Sequence, residues 1–449
     1  MRIVQFLLRA IVGLTLTGVL PLTANSFAEQ THAEMGRKVL AFYYTWYGNP
    51  QVSGRWFHWR NDESDFSLLD EKGLPFARST NHPTIGLYDS NDPLVIAGHL
   101  KLAQKARIDA LIATWWGQGD FTDTALKAVL DVADKMQSGT KVTVYYETVP
   151  DKNPRKATDD LLYILRNYGA KQSFLKVDGV PVVFLYGRAI GQLSARQWGE
   201  VAAAVKREIP VLLIADTDSR TKPNKADFDG FHFYNPVGRI KRGVNMNPFY
   251  EEYTQQYRVP GKILSLTIIP GYDDTHVRKP GTAVPRDNAT LYKQLWFSAA
   301  SAKPDWILIT SWNEWHEGSE IEPSLEFGDL YLNLTSKYYL IFEEGRLTPR
   351  WEERISEIEG LLDEALAIIG EAEEKGLDAR MMRRDLSIAQ NVWSNFDYET
   401  AKLYLLRIKD GSGEVPEASV LWALPFIPIL ARSTARRRLR RSSPLPSVP

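Results

Sequence analysis

The chain of 449 residues has no cysteine, which excludes thiol nucleophiles, thiolate metal sites and disulfide bonds. It also lacks an excess of charge of one sign, because 54 Lys and Arg residues oppose 55 Asp and Glu residues. A net charge of -1 provides no field that would attract nucleic acid, so we predict no nucleic-acid partner.

Histidine is scarce as well, with seven in the chain, and none lies in a metal-ligand spacing such as HExxH. The sequence has no glycine-rich phosphate-binding loop. We therefore predict no metal site and no cofactor. What the chain does have is carboxylates and an unusual number of rings, with 13 Trp, 20 Tyr and 18 Phe.

The two ends differ from the rest of the chain. Residues 1–28 resemble a secretory signal peptide, with Arg2 and Arg9 before the apolar stretch 10–22 and small residues Ser26 and Ala28 near its end. This predicts export to a periplasmic, cell-surface or secreted location, and an uncleaved membrane anchor is the alternative. Residues 414–449 contain an apolar run and then an arginine cluster, which fits a sorting signal for membrane or cell-surface attachment or a disordered basic tail.

Between the ends, short apolar runs alternate with amphipathic stretches, a pattern typical of parallel βαβ units. Eight apolar runs are predicted strands: Val39–Tyr44, Ala110–Trp115, Val142–Tyr146, Val182–Tyr186, Val211–Ala215, Gly230–Tyr234, Ile263–Ile269 and Trp306–Thr310. Predicted helices between them include Pro93–Ala106, Thr124–Met136, Ala195–Glu208 and Asn288–Ala302. Eight such strands favour an α/β fold, a (β/α)8 TIM barrel over residues 38–345, ahead of a doubly wound sheet.

Residues 349–410 show a different pattern, with apolar residues at helical spacing inside an acidic stretch. The first apolar stripe comprises Ile355, Ile358, Leu362, Ala365, Leu366 and Ile369. We predict a C-terminal helical appendage with a packing role.

The active site of such a barrel lies at the carboxyl ends of its strands, so the residues after each apolar run are candidates. These residues are mainly rings and carboxylates: Tyr44, Trp46, Trp115, Trp116, Glu147, Tyr186, Arg188, Asp216, Asp218, Tyr234, Asn235, Tyr272, Asp273, Asn313, Glu314, His316 and Glu317. Rings pack against the C–H faces of sugars, and two carboxyls can serve a glycosidic bond. The combination points to a carbohydrate ligand.

The densest candidate is the stretch SWNEWHEGSEIE at residues 311–322. Glu314 and Glu317 are three residues apart, so in a helical turn their Cβ atoms would be about 5–6 Å apart. Two carboxyls this close cannot both ionise freely, and the pair can divide into an acid and a base. Because Glu320 and Glu322 follow, a solvated acidic loop is an equally weighted alternative.

Four stretches carry a family resemblance: FYYTWYGNPQVSGRWFHW at 42–59, IGLYDSNDP at 85–93, PGYDDTHVRKPG at 270–281 and SWNEWHEGSEIE. Together they resemble the endo-α-mannosidases and endo-mannanases of glycoside hydrolase family 99, over about residues 38 to 340. The resemblance implies a retaining, metal-free glycoside hydrolase that cleaves internal α-mannosidic bonds, with an α-mannan or another mannose-containing oligosaccharide as its partner.

The resemblance also implies roles. Glu317 corresponds to the family's general acid/base, and Glu314 to the carboxylate that acts on the substrate's 2-hydroxyl so that a 1,2-anhydro sugar forms. The predicted substrate-binding residues are Tyr44, Trp46, His58, Trp59, Trp115, Glu147, Tyr234, Tyr272, Asn313 and His316. In contrast to the family pattern, Thr148 and Val149 follow Glu147, which puts subsite specificity in doubt.

Two other classes of protein remain open at this point. A glycosyltransferase would use Asp216-Thr217-Asp218 as a metal and nucleotide-sugar site, although one DxD motif is a weak signal. A non-catalytic surface glycan-binding protein would need the rings but not both glutamates.

Overall fold

The computed structural model describes residues 36–60, 69, 73–74, 76–343, 349–394 and 398–410. The predicted signal peptide at 1–28 and the predicted tail at 414–449 lie outside the described residues. The chain divides into two compact units, with the boundary between Glu352 and Glu353.

The first unit is a closed barrel of eight parallel strands, which confirms the predicted (β/α)8 fold. The strands are β1 (Lys38–Tyr43), β2 (Ala110–Trp115), β3 (Lys141–Tyr146), β4 (Val180–Leu185), β5 (Leu212–Asp216), β6 (Gly230–His232), β7 (Ile263–Ile268) and β8 (Trp306–Ile309). Each strand pairs in parallel with its neighbours in chain order, and β1 closes the barrel by pairing with β8. In the closing pair, Val39 lies opposite Ile307 and Ala41 opposite Ile309. All eight predicted strands are present, with bounds that agree within two residues.

Among the described residues, ten α-helices of the first unit lie between or after these strands, and three more lie in the C-terminal part of the chain. They are α1 (Pro50–Ser53), α2 (Pro93–Lys105), α3 (Phe121–Met136), α4 (Pro154–Ile164), α5 (Gly187–Gln192), α6 (Ala195–Glu208), α7 (Val237–Lys241), α8 (Met246–Tyr257), α9 (Thr290–Ser301), α10 (Leu330–Glu343), α11 (Pro349–Glu374), α12 (Arg380–Ser394) and α13 (Tyr398–Asp410). Four of the helices were predicted, and their observed bounds agree within three residues.

Local sequence explains where these helices begin. Asp92 accepts a hydrogen bond from the backbone N–H of Leu94 and precedes Pro93, which is favoured in the first turn of a helix. Ser194 and Gln197 form a reciprocal capping box at the start of α6. Such caps satisfy backbone N–H groups that have no partner within the helix.

Large side chains fill the barrel interior. Phe42 packs against Tyr145, with 4.7 Å between their ring centroids, and Phe184 packs against Trp306 at 6.2 Å. All four are buried in one core cluster. The interior is therefore a packed core, which leaves the carboxyl ends of the strands as the place for a cleft.

Two segments at the carboxyl ends of β7 and β8 position the candidate residues. After β7, the short antiparallel strands Tyr272–Asp273 and Ala283–Val284 enclose a loop. After β8, residues 311–322 form a compact loop, in which the N–H of Ser311 donates to the carbonyl of Ser319 at 2.7 Å and the N–H of Ile321 donates back to Ser311 at 2.9 Å.

The second unit contains most of α11 and all of α12 and α13. Its buried stripe on α11 is Ile355, Ile358, Leu361, Ala365 and Ile369. The prediction that Leu366 belongs to this stripe is wrong, since its side chain is 49% exposed. Ion pairs connect α13 to α11, for example Lys409 with Glu364 at 2.8 Å. Within the described ranges, no helix is both long and apolar enough to cross a membrane.

Candidate active site

Glu314 and Glu317 lie on one turn of the loop that follows β8. Residues Trp315–Glu317 form a 3₁₀ turn, and the N–H of Glu317 donates to the carbonyl of Glu314 at 3.2 Å. The Ser311 hydroxyl accepts the N–H of Glu314 at 2.6 Å and so fixes the start of the turn. The spacing of three residues thus places both carboxyls on one turn, as the sequence predicted.

Gly318 ends this turn in the left-handed region, with φ of 54°. A Cβ atom at this position would lie 3.0 Å from the carbonyl oxygen of Asp273 and 3.1 Å from its backbone nitrogen. A side chain would therefore push apart the loops that follow β7 and β8. The glycine lets these two loops approach closely beside Glu317.

The Glu317 carboxyl is bound by an arginine from the loop after β7. Nη2 of Arg278 lies 3.0 Å from Oε1 of Glu317. Nη1 of the same guanidinium donates to Tyr272 Oη at 2.7 Å and to Asp274 Oδ2 at 2.5 Å. Burial raises the pKa of Glu317, and Arg278 opposes this effect.

The Glu314 carboxyl has different surroundings. Its residue is 3% exposed, and among the described residues no Lys or Arg forms an ion pair with it. Burial raises the pKa of Glu314 well above its usual value, and the nearby charges of Glu317 and Glu147 raise it further, while the charge of Arg278 and the backbone N–H of His316 oppose the shift. The two members of the pair therefore differ in electrostatic environment.

Glu147, at the end of β3, is a third buried carboxyl near the pair. Its Oε1 accepts the Thr114 hydroxyl at 2.7 Å, and its Oε2 lies 3.5 Å from Nη2 of Arg188. Burial raises the pKa of Glu147 to about 7, although Thr114 and Arg188 oppose the shift. The charge of Glu317 contributes to this increase, which places Glu147 within electrostatic reach of the turn.

Tyrosine hydroxyls line the same region. The hydroxyl of Tyr44, after β1, donates to that of Tyr234, after β6, at 2.5 Å. Burial raises the pKa of both, and the charges of Glu314 and Glu317 raise it further. These phenols remain neutral donors and acceptors, which suits the recognition of sugar hydroxyls.

Three rings form a stack beside the turn. His58, which is exposed, lies 4.2 Å from Trp46 and 5.2 Å from His316, measured between ring centroids. The His316 ring forms a hydrogen bond to the carbonyl of His58 at 2.5 Å. The partly exposed Trp116 lies 6.4 Å from Trp46 and carries the guanidinium of Arg188 over its face. This aromatic strip leads from Glu317 along the mouth of the barrel.

Three predicted substrate-binding residues do not reach the surface of the cleft. Trp59 and Trp115 are both 0% exposed, and their indole N–H groups donate to the Tyr88 carbonyl and to Asp123, respectively. Neither ring presents a face to a ligand, so we correct both assignments to packing roles. Asn313 is also fully buried.

The Asn313 amide instead connects the first and last strands of the barrel. Its Oδ1 accepts the N–H of Tyr44 at 2.7 Å, and its Nδ2 donates to the carbonyl of Tyr44 at 2.9 Å. Because both atoms of its amide bind the backbone of Tyr44, Asn313 positions Tyr44 and does not bind substrate. Sequence reasoning missed this role because strand pairing across the closure was not known.

Sequence reasoning also missed the buried network behind the turn. Glu322 accepts the Tyr88 hydroxyl at 2.8 Å and lies 2.9 Å from Nε2 of His99. The indole N–H of Trp315 contacts both Tyr88 and Glu322, at 3.2 Å and 3.3 Å. The only signal was that Tyr88 and Glu322 both lie in the stretches that resemble the family. The network anchors the turn from the protein side.

These contacts exclude the solvated acidic loop as an interpretation of residues 311–322. Glu320 is 1% exposed and pairs with Arg286 at 2.5 Å, while Glu322 is held as described above. The DxD motif is also occupied by protein donors. Asp216 accepts the N–H groups of Asp218 and Gly187, and Asp218 binds Arg239 through two contacts of 2.7 Å.

A parallel barrel with paired carboxyls and rings at its carboxyl mouth is typical of the class of glycoside hydrolases. The pattern of glycosyl hydrolase family 99 matches residues 34–356, and the chain belongs to this family. It is 26% identical over 391 residues to the glycoprotein endo-alpha-1,2-mannosidase of Mus musculus, covering 78% of this chain and 81% of the mouse protein. The corresponding Xenopus laevis protein is 24% identical over 351 residues, covering 70% of this chain and 76% of that protein.

A solved structure is also similar. The GH99 endo-alpha-mannosidase of Bacteroides thetaiotaomicron superposes with a TM-score of 0.58 at 27% sequence identity. The match covers 69% of this chain and 98% of the bacterial chain. The likeness agrees with the barrel and with a glycoside hydrolase of this family.

Proposed function

We propose that this protein is a retaining, endo-acting α-mannosidase in which the substrate's own 2-hydroxyl displaces the leaving group. The observation that carries the proposal is the pair Glu314 and Glu317 on one hydrogen-bonded turn at the carboxyl mouth of the barrel. The names of the mouse and Bacteroides relatives support an internal α-mannosidic bond as the target.

The first step uses both glutamates. In an α-mannoside the 2-hydroxyl and the leaving group are trans-diaxial, so the 2-oxygen can attack the anomeric carbon from behind. Glu314 removes the 2-hydroxyl proton while Glu317 protonates the departing glycosidic oxygen, and a 1,2-anhydro sugar forms. The scheme differs from the usual retaining one, in which a carboxylate attacks the sugar.

The second step reverses the proton transfers. Glu317, now a carboxylate, takes a proton from the water that attacks the anomeric carbon, and Glu314 returns its proton to the 2-oxygen. Two displacements at one carbon retain its configuration. No metal is needed in either step, so prolonged chelation should leave activity unchanged, and a loss that a divalent ion restores would contradict the scheme.

The cleft contributes groups that suit mannose recognition. The hydroxyl pair of Tyr44 and Tyr234 offers neutral hydrogen-bond partners, and Trp46 with His58 offers ring faces for sugar C–H groups. Tyr272 lies beside the proposed acid through Arg278. Export of the protein, as residues 1–28 predict, would place the enzyme where polymeric α-mannans occur.

The deciding experiment has two parts. Incubation with defined α-mannans and mannose-rich oligosaccharides, followed by product sizing, should release oligosaccharides rather than single mannose units. A 2-fluoro α-mannoside with a good leaving group should then be bound but leave the protein mass unchanged. An added sugar in intact-protein mass spectrometry would show that a carboxylate is the nucleophile and would overturn the anhydro-sugar route.

A further inference from the structure

The two glutamates of the proposed pair are unequal in a way that concerns their roles. The Arg278 guanidinium lies 3.0 Å from Glu317, whereas among the described residues no cation forms an ion pair with Glu314. A pair in which the charge of Glu317 opposes the ionisation of Glu314 holds one proton over a broad pH range. The cation contacts Glu317 directly and acts on Glu314 without an ion pair, so it favours the negative charge on Glu317 and leaves the proton on Glu314.

The proposed chemistry requires the opposite arrangement. Glu317 must carry the proton in order to protonate the leaving oxygen, and Glu314 must be a carboxylate in order to accept the 2-hydroxyl proton. The free enzyme therefore holds its proton on the wrong member of the pair. Something must change when substrate binds.

We propose that Arg278 is a positioning residue that controls the protonation of the pair: it keeps Glu317 as a carboxylate in the free enzyme and withdraws from Glu317 when substrate enters. This inference rests on the proposed function, because it takes Glu317 as the acid. In the transfer, the O–H bond on Glu314 breaks and an O–H bond forms on Glu317. The negative charge moves to Glu314, and no net proton is taken up.

Arg278 is placed so that it can leave. Its side chain is 53% exposed and projects from the loop between the short strands after β7. It also has a second anchor, because Nη1 binds Asp274 at 2.5 Å and Tyr272 at 2.7 Å. The guanidinium can thus give up Glu317 and keep a counterion.

The Glu317 carboxyl keeps one oxygen without a protein partner. Its side chain is 15% exposed, and its Oε2, which is buried, makes no hydrogen bond to the described part of the protein. A glycosidic oxygen that approaches this carboxyl accepts a hydrogen bond from its protonated form. A carboxylate paired with arginine has no proton to donate to that oxygen. Substrate binding therefore opposes the Arg278 contact directly.

The other groups around Glu317 do not replace Arg278. Burial keeps the phenols neutral by raising their pKa values, and the charge of Glu317 contributes to this effect at Tyr44, Tyr186, Tyr234 and Tyr272. Burial, and then the charge of His58, lowers the pKa of His316 to about 3, so its ring is uncharged at neutral pH.

Glu147 and Asp274 are further carboxyls that influence this pair, and each lies near an arginine. Arg188 lies 3.5 Å from Glu147, and Arg278 lies 2.5 Å from Asp274. Arg188 is thus engaged elsewhere, and Arg278 is the cation that meets Glu317.

The same contact is useful in the second step. After the leaving group departs, Glu317 is a carboxylate and must accept a proton from water. Return of Arg278 to Glu317 would stabilise that carboxylate and hold its oxygen in place. The arginine thus opposes the first protonation and supports the base form that follows.

The test compares the pH dependence of kcat/KM for the wild-type enzyme, Arg278→Met and Arg278→Lys on an α-mannan oligosaccharide. Loss of the charge should move both limbs of the bell-shaped profile to higher pH by about one unit, because both pKa values of the pair rise. The lysine variant keeps the charge and should leave both limbs near their wild-type positions. A uniform fall in activity at every pH for Arg278→Met would overturn the proposal.

A structural measurement supports this comparison and does not depend on turnover. In a complex of the wild-type enzyme with a sulfur-linked α-mannan oligosaccharide, the distance from Arg278 Nη2 to Glu317 Oε1 should exceed about 4 Å. A contact that stays at 3.0 Å would overturn the withdrawal. If neither cleavage nor binding of any α-mannan is found for the wild-type enzyme, the proposed function itself fails, which is a distinguishable result.

Discussion

Residues 311–322, in the loop after β8, carry four glutamates: Glu314 and Glu317 form the proposed pair, and Glu320 and Glu322 bind other parts of the protein. Glu320 and Glu322 are held by buried donors: Arg286 and Asn81 bind one oxygen of Glu320, and His99, Tyr88 and Trp315 bind Glu322 through both of its oxygens. Glu314 and Glu317 share the burial but not the partners. Glu314 has no ion-pair partner among the described residues, and Glu317 has a half-exposed one.

The comparison shows that burial alone does not distinguish a structural glutamate from a candidate catalytic one. Burial raises the pKa of Glu320 to about 7, as it does for Glu147. The difference lies in the exposure of the paired cation: the side chain of Arg286, which binds Glu320, is 9% exposed, whereas that of Arg278, which binds Glu317, is 53% exposed. A carboxyl with buried partners fixes the loop, whereas a carboxyl with an exposed partner can exchange protons with a ligand.

The largest expected effect comes from Glu317→Gln. The amide keeps the shape of the side chain but cannot donate the proton that the leaving oxygen needs, so kcat on an α-mannan should fall by about 10²–10⁴. Binding should persist, and an activated aryl mannoside should be cleaved with a smaller loss because its leaving group needs little protonation. Steady-state kinetics on both substrates provide the measurement. Equal losses would argue that Glu317 is not the acid.

The next largest effect is expected at Glu322, which anchors the loop to the rest of the barrel unit. Glu322→Ala removes the acceptor for Tyr88, His99 and Trp315, and it should lower the free energy of unfolding by about 3 kcal/mol. Activity should fall with it, because the same network anchors the turn that carries Glu314. Thermal unfolding and kinetics on purified protein check both.

Glu322→Gln is the matched control for that variant. The amide oxygen can still accept from Tyr88 and Trp315, and its N–H can donate to Nε2 of His99 if the imidazole changes tautomer and donates through Nδ1 to Tyr43. We expect a loss of only about 1 kcal/mol. Equal effects of Ala and Gln would mean that the negative charge, and not the set of acceptors, holds the loop.

The comparison also shows what the sequence could reveal. The eight strands were predictable because each is a short apolar run between helical periodicities, and the spacing of Glu314 and Glu317 placed both on one turn. Side-chain partners across the barrel were not predictable. Asn313 binds the backbone of Tyr44, which lies 269 residues earlier in the chain. Trp115 ends a strand, where a sugar-binding ring is expected, but its side chain is fully buried.

Arg278 illustrates the same limit in the site. It belongs to a stretch that resembles the family, yet nothing in the spacing indicates that it meets Glu317 39 residues later. That contact depends on the close approach of two loops, which Gly318 permits. Local pattern therefore predicts which strand end a residue follows, while the partner of each charge depends on the closure of the barrel.

The smallest effect we predict is on stability, at the third cleft carboxyl. The pKa of Glu147 is raised to about 7 in the folded protein, against 4.5 for an unperturbed glutamate. The folded state therefore holds this proton where the unfolded state has lost it, and stability falls as the pH rises from about 4.5 to about 7. Glu147→Gln removes this loss and keeps an oxygen for the Thr114 hydroxyl. Its melting temperature should equal that of the wild type near pH 4.5 and exceed it by about 2 °C at pH 8.

Glu200→Gln, at an exposed position on α6, is the matched control and should show the same small offset at both pH values. If Glu147→Gln also gave a constant offset, the pKa of Glu147 would be the same in the folded and unfolded states, and Thr114 and Arg188 would cancel the effect of burial.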